Sequence, residues 1–309
     1  MNKNIKIVSL LPSATEIVAA LGMGDQLVGR SHECDWPAGL DHLPILTAPK
    51  MNPQANAASI DRDVRALVED GLSVYQLDAD AIQRLAPDFV ITQSQCELCA
   101  VSLKEVTHAL RDWVGPSAAP ELVSLEPMCL DDVAKDITHV AKSLGVREAG
   151  EALNTQVADG FTRLRVQTER LALRRVFFME WTAPLMGAGN WMPETIAAAG
   201  GEVVLGQDGA HSPVVSWADV AAADPEVILV GPCGFSIERA HEEMAALVNL
   251  PEYQELRAVR SGEVYLVNGN HFFNRPGPRL LQSAQIVAEI LHPTVFAPTN
   301  HGMGWVRYA

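Results

Sequence analysis

The sequence predicts an α/β protein of two Rossmann-like lobes with mainly parallel sheets, joined by a long rigid helix, with a ligand cleft between the lobes. Three observations lead there. The chain has 309 residues, 48% of them apolar, which is more than one hydrophobic core usually serves. Short apolar runs alternate with helical stretches in both halves, the pattern of βαβ units. A helical pattern of about forty residues, Asp131 to Leu171, separates the halves and is too long for one ordinary crossover. The expected division is residues 1–130 for the first lobe, 131–171 for the helical connector, 172–291 for the second lobe and 292–309 for a tail.

Taken in order, Ile5 to Leu10 reads as the first strand, and Ser13 to Glu16 as a capping box for a helix ending at Gly22. Leu27 to Arg30 is the second strand, followed by the loop SHECDWP at 31–37. Residues 38–60 look irregular, with Pro44, Pro49 and Pro53. Helices at Asp61 to Asp70 and Asp80 to Leu85 precede the strand Phe89 to Thr92, which runs into a loop carrying Cys96 and Cys99 and then a helix from Leu103 to Val114. Strand Leu122 to Leu125 and the turn Glu126 to Cys129 close the lobe. The connector is either one helix or two segments, with Gly145 and Gly160 as its weak points.

The second lobe opens with strand Arg175 to Glu180 and the loop WTAPLMGAGNW. It continues through helix Met192 to Ala199, strand Val203 to Leu205, helix Ala218 to Ala223 and strand Val227 to Val230, then helix Ile237 to Val248, strand Val264 to Val267 and helix Arg279 to Leu291. The unit PDFVITQSQC at 87–96 is echoed by DPEVILVGPC at 224–233, so both halves carry a strand that ends in a cysteine loop. Open α/β sheets place ligands at such carboxyl ends.

Charge narrows the partners. Lys plus Arg total 23 against 38 Asp plus Glu, and a net charge of −15 argues for a small molecule or a protein and against nucleic acid. No apolar run approaches the roughly 18 residues of a membrane span. Lys3 and Lys6 ahead of a short apolar run superficially suggest an export signal, but the run stops at Pro12 and no small-residue cleavage site follows. The expected compartment is therefore cytoplasmic, with the five cysteines reduced.

Cys34, Cys96, Cys99, Cys129 and Cys233 all fall in loops after strands. Cys129 suits a small buried hydrophobe. Cys34, Cys96, Cys99 and Cys233 form the candidate thiolate set for a zinc or iron-sulfur centre, with a redox dithiol as the weaker option because Cys96 stands several residues before its helix. Other chemistry fails on inspection. Gly187 and Gly189 begin a dinucleotide-type loop, but Met192 stands where the third glycine is needed. His241 and Glu242 begin a zincin pattern that Ala245 breaks. No G-x-S-x-G occurs, and no base pairs with a cysteine, so the chain is expected not to be an enzyme.

Trp36, Trp181, Trp191, Phe235 and Phe272 lie in strand-end loops, which suits a flat apolar ligand. His32 and His271 share those loops, and Arg275 and Arg279 offer guanidinium groups to a ligand's oxygens. Ser13, Asp35, Glu180 and Asn190 complete the candidate ligand-binding set.

Over residues 5–291 the segments IVSLLPSATEIVAALGMGDQLVGRS, LAPDFVIT, WADVAAADPEVILV, SGEVYLVNG and FFNRPGPRLLQSAQIVAEIL resemble the iron-siderophore and cobalamin type of ABC-transporter solute-binding proteins. The resemblance implies two lobes on one helical backbone, small hinge motion, and a ligand held in the cleft. The chain is most similar to members labelled cobalamin-binding, several of which also carry segments like HECDWP, C-x-x-C and GPCGF. It also implies docking onto an ABC permease through two acids, of which Asp80 matches one while Ala218 occupies the other place. Three readings stay open: a binding protein for cobalamin, another corrinoid, a tetrapyrrole or a metal chelate; a cytosolic metal or iron-sulfur protein on the same fold; and a cysteine-dependent enzyme.

Overall fold

The computed structural model describes residues 5–70, 72–94, 101, 103–110 and 119–308. By packing, they divide into two units. The first takes residues up to 55, 59–127 and 131–155, and the second takes 56–58, 128–130 and 156–309. The 131–171 stretch expected as a separate connector is thus shared between the units, and the tail belongs to the second.

The first unit orders β1 (Ile7–Ser9), α1 (Pro12–Ala20), β2 (Leu27–Arg30), β3 (Thr47–Pro49), α2 (Ala57–Glu69), β4 (Tyr75–Leu77), α3 (Ala79–Leu85), β5 (Phe89–Gln93), α4 (Leu103–Ala109) and β6 (Glu121–Leu125). Its main sheet runs β2-β1-β5-β6 with every pairing parallel, and β3 and β4 form a small antiparallel pair. Val8, Leu10, Val90 and Ile82 are fully or almost fully buried in its core, as expected of parallel strands covered by helices.

The helix after β1 begins differently from the expectation. Proline supplies the start: Pro12 is the first residue of α1, where its missing N–H costs nothing, and Leu11 takes the cap position. Ser13 therefore lies inside the first turn and is not the cap of a capping box. A true capping box occurs in the second unit, where Ser216 Oγ accepts from the Asp219 amide and Asp219 Oδ2 accepts from the Ser216 amide.

The long helical stretch is two helices, α5 (Leu130–Ser143) and α6 (Arg147–Thr168). Gly145 sits at φ 73°, and the amides of Gly145 and Val146 donate back to the carbonyls of Lys142 and Ala141. That Schellman closure stops α5 because only glycine enters the left-handed region without strain. Gly160, the other weak point, stays helical; a Cβ there would collide with Leu281.

The second unit follows with β7 (Arg174–Met179), β8 (Trp181–Thr182), β9 (Leu185–Met186), α7 (Met192–Ala198), β10 (Gly201–Val203), α8 (Trp217–Ala223), β11 (Val227–Val230), α9 (Ile237–Leu247), α10 (Pro251–Gln254), α11 (Arg257–Arg260), β12 (Val264–Val267), α12 (Leu280–Leu291) and β13 (Trp305–Arg307). The sheet order is β10-β7-β11-β12-β13, parallel except for the last pair. All four residues of β11 and of β12 are buried, so these continuous apolar runs form the middle of the core. The tail earns its place through polar chemistry: buried Glu289 on α12 accepts hydrogen bonds from the Thr299 hydroxyl, the Asn300 amide and side chain, and the Trp305 indole. A carboxylate so fully satisfied can be buried without a cationic partner.

Candidate functional site

The carboxyl ends of β1 and β2 carry the candidate residues of the first unit. Arg30, only 8% exposed, ends β2 and donates to the carbonyls of Cys34, Ser31 and Leu40. One buried guanidinium thereby shapes the loop that follows, using the fork geometry that arginine alone provides. Sequence reading gave Arg30 only as the end of a strand. Cys34, inside this loop, is fully buried, and the Thr15 hydroxyl lies 3.1 Å from its sulfur and 2.8 Å from Ser9 Oγ. Ser13 is 2% exposed.

His32 packs its ring 5.6 Å from that of Tyr75, and its Nδ1 is 2.7 Å from Thr47 Oγ1. Burial holds its pKa below the usual histidine value, so the ring is neutral at pH 7. Thr47 Oγ1 also accepts from the His32 amide at 3.1 Å. Beyond this packed base, Asp35 and Trp36 face solvent, Trp36 at 43% exposure.

In the second unit the candidates gather at the carboxyl ends of β7, β11 and β12. Glu180 follows β7; its Oε2 accepts from Ser212 Oγ at 2.7 Å, and the Gly189 amide also donates to it. Burial pushes the Glu180 pKa up, and these two donors oppose the shift without cancelling it. The 187–190 stretch that begins like a dinucleotide loop has another use. A Cβ at Gly187 would strike the Leu205 carbonyl and one at Gly189 would strike Ser212, so these glycines allow two backbones to touch. Asn190 closes the turn at φ 52°, and its Oδ1 is buried without a hydrogen-bond partner.

Trp181 meets Phe235 edge-on at 5.3 Å, and the Arg239 guanidinium lies 3.8 Å over the Phe235 ring. The Trp181 indole N–H donates to the Ala183 carbonyl, and the neighbouring Thr182 hydroxyl reaches Glu243. After β12, Asn268 accepts from the His271 amide, Arg275 donates to Asn270 Oδ1, and Arg279 sits 5.2 Å from the Phe272 ring centre. The Asn270 amide donates to the Phe235 carbonyl, which ties the β11 and β12 loops into one rim.

The candidate set therefore separates into two kinds. Trp181, Glu180, His271 and Arg279 are partly exposed on the rim. Phe235, Phe272, Arg275 and Trp191 are buried at 2%, 3%, 4% and 7%, and Trp191 donates its indole N–H to the Phe273 carbonyl. For these four the structure assigns support of the rim instead of an open contact face. Arg239, Ser212, Asn270 and Glu243 were missed by sequence reading. A signal existed only for Arg239, three residues after the helix-capping Ser236 that accepts its amide.

Only two members of the expected thiolate set lie among the described residues. Cys34 is buried beside Thr15, Cys233 is exposed after β11, and Cys96 and Cys99 lie outside the described residues. Among the described residues no three His, Cys, Asp or Glu side chains are placed to hold a metal ion. No helix among them is long and apolar enough to cross a membrane.

The periplasmic binding protein family model matches residues 7–270. The chain belongs to the periplasmic binding protein family. That family is one of binding proteins, so the chain is a binding protein and not an enzyme. The vitamin B12-binding protein of Vibrio parahaemolyticus is 24% identical over 297 residues, covering 92% of this chain and 88% of the relative. Among solved structures, the periplasmic vitamin B12 binding protein BtuF of Vibrio cholerae shares the fold with a TM-score of 0.64 at 23% identity, covering 93% of this chain and 96% of that one. The periplasmic heme-binding protein RhuT from Roseiflexus sp. RS-1 gives a TM-score of 0.68 at 23% identity, with coverage of 94% and 99%.

Proposed function

We propose that this binding protein carries a corrinoid, cobalamin or a close relative, as a solute-binding component that delivers it to an ABC permease. The observation that carries the reading is the rim at β7 and β11, where Trp181, next in sequence to Glu180, meets Phe235 edge-on and Arg239 lies over the Phe235 ring. Such a rim offers an aromatic edge and a polar hand to a flat, largely apolar ring system. Named vitamin B12-binding relatives that cover most of the chain support a corrinoid over other chelates. Similarity to heme-binding structures supports haem as the competing ligand. Asp80, exposed in the first turn of α3, is proposed as one permease contact.

Calorimetric titration with cyanocobalamin, cobinamide and haem tests the reading. The expected result is saturable heat with a corrinoid, quenching of tryptophan fluorescence, and weaker or no binding of haem. Tight haem binding without corrinoid binding would move the assignment to the heme-binding relatives.

A further inference from the structure

A buried acid sits where the first unit's sheet ends and the chain turns toward its long helices. Asp136, on the second turn of α5, is 8% exposed. Its Oδ1 accepts a long 3.4 Å hydrogen bond from the amide of Glu126, the first residue after β6. Its Oδ2 is buried with no hydrogen-bond partner. A buried carboxylate with one weak donor is expensive, whereas a neutral carboxyl there costs far less.

The segment that Asp136 touches is short and held at both ends. Glu126 is fixed by the Ser94 hydroxyl, which hydrogen-bonds its carboxylate and lies 2.8 Å from Ser124 Oγ. At the far end the Leu130 amide donates to Glu194 at 2.8 Å. Residues 128–130 are grouped with the second unit, while Glu126, Pro127 and Asp136 belong to the first.

We propose that Asp136 is a proton-operated latch on segment Glu126–Leu130, holding it when the carboxyl is neutral and loosening it when the carboxyl ionises. The surrounding charges favour this direction. Glu126 from the segment and Asp132 from α5 both oppose a negative charge at Asp136, and Lys135 of α5 favours it while standing 2.8 Å from Asp132. Burial is the largest influence, and together they raise the Asp136 pKa to about 7, so the latch works in the neutral range. Ionisation would be relieved by moving Glu126 away or by admitting water to Oδ2, and either change opens the segment locally.

Hydrogen exchange resolved to residues 126–130 tests the latch without any ligand. After correction for the intrinsic exchange rate, wild-type protection is expected to fall about tenfold between pH 6 and pH 8.5. Asp136→Asn keeps the acceptor for the Glu126 amide and mimics the neutral acid, so it should show the same protection at both pH values. Glu126→Gln removes a repelling charge and should move the wild-type transition to lower affinity for protons, hence lower pH. Equal wild-type protection at both pH values, or the same loss in Asp136→Asn, would overturn the proposal. Should the asparagine variant not fold, carboxyl-carbon NMR of the wild type decides: a midpoint near 7 supports the latch, and one below about 5 refutes it.

Discussion

The rims of the two units use opposite construction. In the first, one buried arginine organises backbone carbonyls, and the side chains it leaves outward, Asp35 and Trp36, are exposed. In the second, side chains interlock: Trp181 against Phe235, Phe235 under Arg239, Glu180 with Ser212, and Asn270 bridging to Arg275. A rim whose side chains already hold one another loses less conformational entropy when a ligand arrives. If the proposed binding function holds, the second rim is expected to supply most of the affinity.

The largest effect should come from breaking the first rim's frame. Arg30→Met would strip the side-chain donor from the carbonyls of Cys34, Ser31 and Leu40, the last two of which keep backbone donors in the Cys34 and Leu43 amides, and should lower unfolding free energy by about 3 kcal/mol, measured by urea denaturation. A loss below about 1 kcal/mol would mean that the loop is held by something else.

Proton linkage gives the next largest effect. The folded-state pKa of Asp136 is raised above the unfolded carboxyl value, so the folded protein binds the extra proton between them. Its contribution is therefore most favourable below the unfolded value near 4 and declines as pH rises toward about 7. Asp136→Asn should flatten that decline by an amount on the order of 2 kcal/mol, read from stability curves at pH 5 and pH 8. The smallest effect is expected at the exposed end of the first rim. Trp36→Ala should change stability by no more than about 0.5 kcal/mol, and any loss of ligand affinity it causes reports contact directly.

Much of the fold was readable from local chemistry. The buried runs Val227 to Val230 and Val264 to Val267 announce central parallel strands, and Gly145 marks the break between α5 and α6. The start of α1 was misread because Ser13 and Glu16 match a capping box while Pro12 fixes the first turn one residue earlier. The tail resisted reading because its anchor is Glu289, whose partners Thr299, Asn300 and Trp305 are polar residues in an irregular stretch. The site was legible as positions more than as roles. Strand-end loops were identifiable from sequence, but whether Phe235 or Trp191 points outward depends on packing between distant segments, and both turn out to be buried. Ser212 and Asn270 left no trace at all, since a lone serine or asparagine in a loop carries no periodic signal.

The most direct measurement is a calorimetric titration of cobinamide into the wild type and the Trp181→Ala variant, with unfolding curves recorded on both. Wild-type binding in the micromolar range or tighter, weakened about tenfold in the variant, with stability lowered by about 1 kcal/mol through the lost Phe235 contact, is the predicted result. Equal affinity in both proteins would contradict the assignment of binding to the second rim, and absence of heat at high micromolar cobinamide, cobalamin and haem would contradict the binding function itself.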